Sequence, residues 1–290
     1  MMVKIISLLI ISGLLQPVLP SDNRRVVKRE IELSDQRQLN VKISFAAGTL
    51  YIKPGHRNML FKGKLRYSEK EPVIDYSVYN GRATLEISTP NFSKKDKEEK
   101  NFNINNLDDI KKNIWYLYFS PDIPVTFNIE MGASKSRFDL GGLRIPSLKV
   151  STGASDTFID FSEQNPIEME NLGIEAGVSK IVIKHILNSN FKHFTFDGGV
   201  GDYIFYFNAP LRHKATVDVD MGVAATKFIM DEEIAYKVHV SDSFLSSVRI
   251  EDSEEDEEDT YTSFNYDKDQ PYLLIKADTG IGSFKILRDR

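Results

Sequence analysis

Residues 127–140, FNIEMGASKSRFDL, carry a short pattern that the chain writes six times. The copies are IEMGAS (129–134), VSTGAS (150–155), IEAGVS (174–179), FDGGVG (196–201), VDMGVA (219–224) and ADTGIG (277–282). Their glycines Gly132, Gly153, Gly177, Gly199 and Gly222 lie 21, 24, 22 and 23 residues apart, and Gly280 follows after a gap of 58. A fixed recurrence of this length marks one supersecondary unit copied and stacked. Around each glycine the apolar residues alternate, as with Phe138 and Leu140 after Gly132 or Ile159 and Phe161 after Gly153. That period of two belongs to strands. One unit cannot bury its apolar face alone, whereas stacked copies bury a continuous core. The expectation is an all-β parallel β-solenoid with about 21–24 residues per coil and coils spaced at roughly 4.8 Å. The glycine belongs at a corner, where a positive φ or a close backbone approach excludes a Cβ. An antiparallel sandwich predicts turns about every 8–12 residues and has no need to rewrite one motif.

Upstream of the motif train, VKREIELSD and LNVKISFAAGTLYI alternate as strands, and Phe45-Ala-Ala-Gly48 reads as a degenerate first copy of the glycine unit. Further strands are expected at Leu60–Tyr67, Val73–Tyr79 and Ala83–Ile87, with Asn80-Gly81 as a hairpin turn. The charged stretch from Pro90 to Asn113 breaks the pattern and reads as a hinge, with one helical turn at Leu107–Lys112. The array proper is expected to begin at Trp115-Tyr-Leu-Tyr-Phe119 and run to about Met230. The interval 222–280 holds two more coils, with the acidic run 251–259 as a loop inserted at a corner. The organisation is therefore a signal peptide (1–20), an N-terminal β segment with a charged hinge (21–113), and the solenoid (114–290).

Lys4 followed by the apolar run Ile5–Leu15 has the form of a signal-peptide core and is too short for a membrane span. Cleavage is expected near Ser21, which places the product in the periplasm, the cell envelope or the medium. The sole membrane contact expected is through that segment. With no cysteine in the chain, disulfides, thiol catalysis, thiolate metal sites and a lipoprotein anchor are all excluded. A formal net charge of −5 argues against nucleic acid as a partner. The basic group Arg24, Arg25, Lys28 and Arg29 reads as a solvated N-terminal stretch.

Reactive constellations are scarce. None of His56, His185, His193, His213 and His239 has the spacing of a zinc site; His185 and His193 flank a coil boundary where each can meet a neighbouring coil, but surface-exposed positions on the solenoid are the expectation. Gly198-Gly-Val-Gly201 lacks the strand–loop–helix setting of a phosphate loop and occupies the recurring corner slot. The acidic run 251–259 lacks the ordered oxygen ligands of a calcium loop. Two residues before the glycines stand Glu130, Ser151, Glu175, Asp197, Asp220 and Asp278, which a solenoid aligns as a ladder along one edge. A glycan-cleaving β-helix also displays carboxylates in a ladder, yet nothing marks one rung as special. No catalytic, cofactor-binding or metal residues are assigned, and no cofactor is expected.

The stretch NIWYLYFSPDIPVTFNIEMGASKSRFDLGGLRIPSLKVSTGASDTFIDF, followed by IEAGVSKIVI, FDGGVGDYIFYF, VDMGVAATKF and DTGIGSFKIL, resembles the bacterial toast-rack family. That family is related to "putative adhesin" β-helix proteins and to the C-terminal domains of envelope-stress response proteins. The resemblance covers Trp115 to Arg290 and extends to the N-terminal β segment. It implies a right-handed single-stranded parallel β-helix, exported or envelope-associated, with no catalytic residues to carry over. The acidic run 251–259 departs from the family pattern. Together these readings point to a non-catalytic envelope interaction protein, adhesin-like, whose partner is an envelope or surface protein or a glycan. The alternative is a carbohydrate-active β-helix, hydrolase or lyase, and a sensor domain of an envelope-stress pathway is a third, weaker reading.

Overall fold

The computed structural model describes residues 24–90, 92, 113–242 and 245–289. The signal segment 1–20 and the helical turn expected at Leu107–Lys112 lie outside them. The sixteen strands among the described residues belong to one sheet. Its centre is a parallel stack of long strands: β2 (Gln38–Pro54), β7 (Val125–Asp139), β8 (Ser147–Asp160), β9 (Met169–Lys184), β10 (Phe191–Phe207) and β11 (Ala215–Met230). Strand β16 (Leu273–Arg288) follows β11 in the stack.

These strands cannot be straight. The rings of Phe194 and Phe205 lie 5.5 Å apart, and those of Phe196 and Tyr203 lie 4.6 Å apart, within the single strand β10. Eleven residues of straight strand span roughly 36 Å. Each long strand therefore folds back at its glycine into two arms whose inner faces share one core. Burial records the fold. In β8, Leu148, Val150 and Thr152 are buried before Gly153, whereas Thr157 and Ile159 are buried after it. The buried parity switches at the glycine, which a straight strand would not do. One bent strand plus its return connection makes up each period, so the copies of the motif form stacked, bent parallel strands of one sheet, an arrangement consistent with a solenoid.

The glycines themselves stack. Register pairs Met131 with Thr152 and Ala133 with Ala154, bracketing Gly132 opposite Gly153, and the later rungs repeat this. A Cβ at Gly153 would lie 3.0 Å from the Gly132 carbonyl oxygen. At Gly177, Gly199 and Gly222 the corresponding distances to the preceding glycine are 2.6, 2.6 and 2.7 Å. None of these glycines has a positive φ. Of the two causes considered, close backbone approach is the one at work. In the first rung the register Phe45–Met131 and Ala47–Ala133 puts Ala46 in the glycine column, with Gly48 two places beyond it. Among the described residues, β5 (Arg82–Ser88) pairs with residues 38–44 and residues 114–119 pair with 49–54, so neither strand carries a bent glycine corner over Ala46, whose amide donates to Thr89 Oγ1 at 3.2 Å.

The N-terminal strands extend this sheet. β6 (Ile114–Phe119) pairs with the second arm of β2, and β3 (Met59–Tyr67) and β1 (Arg25–Glu32) follow in antiparallel order. The array therefore starts at β2, and the WYLYF stretch lies on its outer side as a single arm. On the first arm, β4 (Val73–Tyr79) and β5 form a hairpin whose Asn80 and Gly81 have φ of 52° and 75°, the twist that Asn-Gly favours.

The C-terminal end departs from sequential stacking. β12 (Tyr236–Asp242) and β13 (Ser246–Ile250) supply the two arms of one more rung, yet both pair with β16 and not with β11. The last strand in sequence is thus inserted between its predecessors, which accounts for the 58-residue gap. The acidic run is β14 (Ser253–Glu257) and its turn into β15 (Thr260–Ser263), a hairpin laid against β12 where a loop was expected.

The return connections are stitched by asparagines. Asn165, buried, accepts from the Ile145 and Ile167 amides at 3.2 Å and donates to the Ile145 and Ser189 carbonyls at 2.8 and 3.0 Å. Asn188 and Asn190 donate in the same way to Phe161 and Ile167 of the preceding connection. Asn165→Ala strands several buried backbone groups and is expected to lower stability by about 3 kcal/mol, read from urea midpoints at unchanged slope. An unchanged midpoint would mean that the connections hold without it.

Candidate functional site

Both arms turn one face outward, and each carries side chains in columns. On the first arm the predicted ladder forms: Glu130, Ser151, Glu175, Asp197, Asp220 and Asp278 are successive register partners, and Ser241 extends the row. Two residues upstream a second column includes Lys149, Thr195, Asp218, Lys276 and His239. From Lys149 and Glu175 to His239 and Ser241, the two columns line a shallow groove of about 540 Å³. Lys149 Nζ lies 2.6 Å from Glu175 Oε1, and the Ser151 hydroxyl donates to Glu175 Oε2 at 2.7 Å. Asp197, Asp220 and Asp278 are all exposed. Acid–base hydrolysis needs two carboxyls whose surroundings set them apart, one of them in an apolar pocket. Here successive rungs offer the same solvated carboxylate. Among the described residues no three His, Asp or Glu side chains are arranged to hold a metal.

The histidines make structural contacts. His185 Nδ1 is 2.7 Å from Asp160 Oδ1 and His193 Nδ1 is 2.8 Å from Thr216 Oγ1, each on a neighbouring rung, where surface exposure alone was expected. His213 Nε2 meets Asn190 Oδ1 at 3.2 Å and His239 Nδ1 meets Thr260 Oγ1 at 3.0 Å. The Gly198–Gly201 segment is a crowded corner. A Cβ at Gly198 would lie 2.6 and 2.7 Å from the Phe196 and Tyr203 rings. Tyr203 is fully buried behind it, and its hydroxyl has no partner among the described residues.

Burial, aided by the charges of Asp197 and Asp202, pushes the Tyr203 pKa up to about 12 from an ordinary 10. The folded state keeps this proton to higher pH than the unfolded chain does. Its contribution is therefore complete below pH 10 and is lost as pH rises toward 12, by up to about 2 kcal/mol. Tyr203→Phe is expected to flatten that alkaline decline, followed by denaturant midpoints across pH 9 to 12. An unchanged decline would place its source in other groups.

The outer face of the second arm holds a cluster that the sequence reading did not single out. Across the register, Lys28 stands opposite Lys64, Lys64 opposite Tyr116, Tyr116 opposite Tyr51, and Tyr51 opposite Arg137. The Tyr51 and Tyr116 rings stack at 4.8 Å with an interplanar angle of 4°. Along the adjacent row Glu30, Lys62, Tyr118 and Lys53 are likewise successive partners, with Lys62 Nζ 2.6 Å from Glu30 Oε1. Where Pro54, Gly55 and His56 leave β2, they bound a pocket of about 610 Å³ together with Met59, Lys62, Lys64, Arg66, Tyr116 and Tyr118. Beyond Arg137 the same row continues through half-buried Phe158, Val182 and Ile204. The signal in the sequence was the alternation in FKGKLRY and WYLYF. It shows that these side chains share outward faces, but only the pairing of β3 with β6 brings them together.

No curated protein matches this chain. Among solved structures, one described as a putative cell adhesion protein from Clostridium sporogenes ATCC 15579 aligns over 92% of this chain and 100% of its own. The identity is 19% and the TM-score 0.51, a likeness of fold. One described as a putative adhesin from Bacteroides fragilis NCTC 9343 aligns over 91% and 97% of the two chains, at 14% identity and a TM-score of 0.39. The family model described as the N-terminal domain of toast_rack, DUF2154, matches residues 20–184, which span β1 to β9 and three of the stacked glycines. With its model matching more than half of the sequence, the chain belongs to the toast-rack family.

Proposed function

We propose that this chain is an exported, non-catalytic interaction protein of the cell envelope, adhesin-like in that an extended face of its solenoid binds a surface component. The observation that carries the reading is the outer face of the second arm, where in-register strands from β1 to β13 present rows of side chains at rung spacing. Such a face suits a long partner better than a small substrate, which needs a concave, enclosing site. The fold likeness to a protein described as a putative cell adhesion protein is in keeping with this. The right-handed sense of the coil and removal of residues 1–20 belong to the same proposal.

The test has two parts. Expressed with its leader, the protein is expected outside the cytoplasm with an N terminus near Ser21, and the purified chain is expected to bind isolated cell envelopes or surface glycans. Retention in the cytoplasm, or no binding to any such fraction, would overturn the reading. New reducing ends or unsaturated products from a polysaccharide, lost in Asp197→Asn or Asp220→Asn, would instead establish the carbohydrate-active alternative.

A further inference from the structure

The pocket beside Tyr116 has the chemistry of a site for an acidic sugar. Tyr116 gives one ring face to Tyr51 on β2, and its other face looks toward β3, where Lys62 and Lys64 rise from the sheet. Met59 and His56 also line this space. A planar aromatic wall, an apolar edge and two ammonium groups thus converge on one space of about 610 Å³.

The charges are only partly spent internally. Lys62 is balanced by Glu30 at 2.6 Å, but Lys64 makes no ion pair within the described residues and has Lys28 directly across the ladder. Like charges directly opposite destabilise a strand pair. A conflict kept at a pocket rather than relieved is what a binding site for an anion produces.

We infer that this pocket binds a uronate residue of a linear acidic polysaccharide. The C–H face of the sugar packs on the free, electron-rich face of Tyr116. The carboxylate takes charge-assisted hydrogen bonds from Lys64 and Lys62. Neighbouring sugars run along the flat face past Tyr118 and Lys53. Nucleic acid fits less well. As a duplex it carries a denser run of negative charge, about one per 1.7 Å over both strands, which the chain's net charge of −5 and the acidic first arm oppose. Tyr116 also has only one face to offer a base.

This inference deepens the interaction reading and rests on it. The experiment is affinity electrophoresis and calorimetry of the purified full chain with polygalacturonate, with dextran and a thymidine oligonucleotide in parallel. Polygalacturonate is expected to bind, more weakly as salt rises. Lys64→Gln is expected to weaken it at least tenfold with an unchanged melting curve. Tyr116→Ala should do likewise, and if that variant unfolds, Lys64→Gln alone decides. Asp220→Asn, on the other arm, should bind as the parent does. The inference is overturned if polygalacturonate does not bind, if dextran or the oligonucleotide binds equally well, or if Lys64→Gln binds as tightly as the parent. A chain that binds isolated envelopes but not polygalacturonate overturns this ligand and leaves the interaction reading standing.

Discussion

Gly280→Ala is expected to destabilise the protein by roughly 3 kcal/mol or more, although it adds a single methyl group. The new Cβ would overlap the Gly222 carbonyl oxygen and lie 2.6 Å from that of Met221, and neither backbone atom can move without breaking the ladder to β11. The column as a whole makes a graded prediction. At Gly153 the methyl lies 3.0 Å from the preceding carbonyl, at the margin of real contacts. Loss of unfolded-state freedom returns about 0.4–1 kcal/mol there, so Gly153→Ala should cost little. Gly199→Ala, at 2.6 Å, should fall between the two. Denaturant midpoints for the series should follow Gly280, Gly199, Gly153 in order of decreasing loss. Equal losses at all three would mean that conformational freedom, not proximity, selects glycine.

Ending the chain after Gln270 is expected to unfold residues 236–263 and not merely shorten the stack. β16 is hydrogen-bonded to β11 on one side and to both β12 and β13 on the other, so its removal takes an interior strand and leaves those two without it. It also removes Arg288, a buried side chain whose Nη1 donates to the Asp231 and Ile234 carbonyls at 2.8 and 2.9 Å and whose guanidinium lies 5.1 Å from the Tyr236 ring. In a stack that followed chain order, the same cut would trim one terminal coil and spare the rest. Hydrogen exchange should show β12 to β15 exchanging as unfolded chain while β2 to β10 keep their protection, because each rung depends chiefly on its neighbours. Protection retained in β12 would contradict the inserted position of β16.

Much of this was legible because stacking converts sequence period into spatial column. Once Gly132, Gly153, Gly177, Gly199 and Gly222 were seen to recur, the alignment of Glu130, Ser151, Glu175, Asp197 and Asp220 followed. Residues at equal offsets from a repeated corner become register partners. The same logic misled at Gly48. The eye takes the nearest glycine, whereas the register places Ala46 in the column, at a rung whose described outer neighbours, residues 82–88 and 114–119, pair with its two arms and not with its corner. The acidic run suggested solvated loop by composition, but alternation with β15 on the edge of the sheet accommodates it as a strand.

By itself, then, the sequence determined the all-β class, the family, the length of the unit, the corner glycines and the outward ladder of the first arm. All of these depend on local alternation and on a period that neighbouring copies share. The tertiary structure decided what depends on pairing between distant segments. It bends each long strand into two arms over one core, and it places β16 between β11 and the β12–β13 rung. It also joins β3 to β6, which sets Lys64 beside Tyr116. No local pattern encodes those choices, because a strand's alternation says which face is buried but not which edge will meet another.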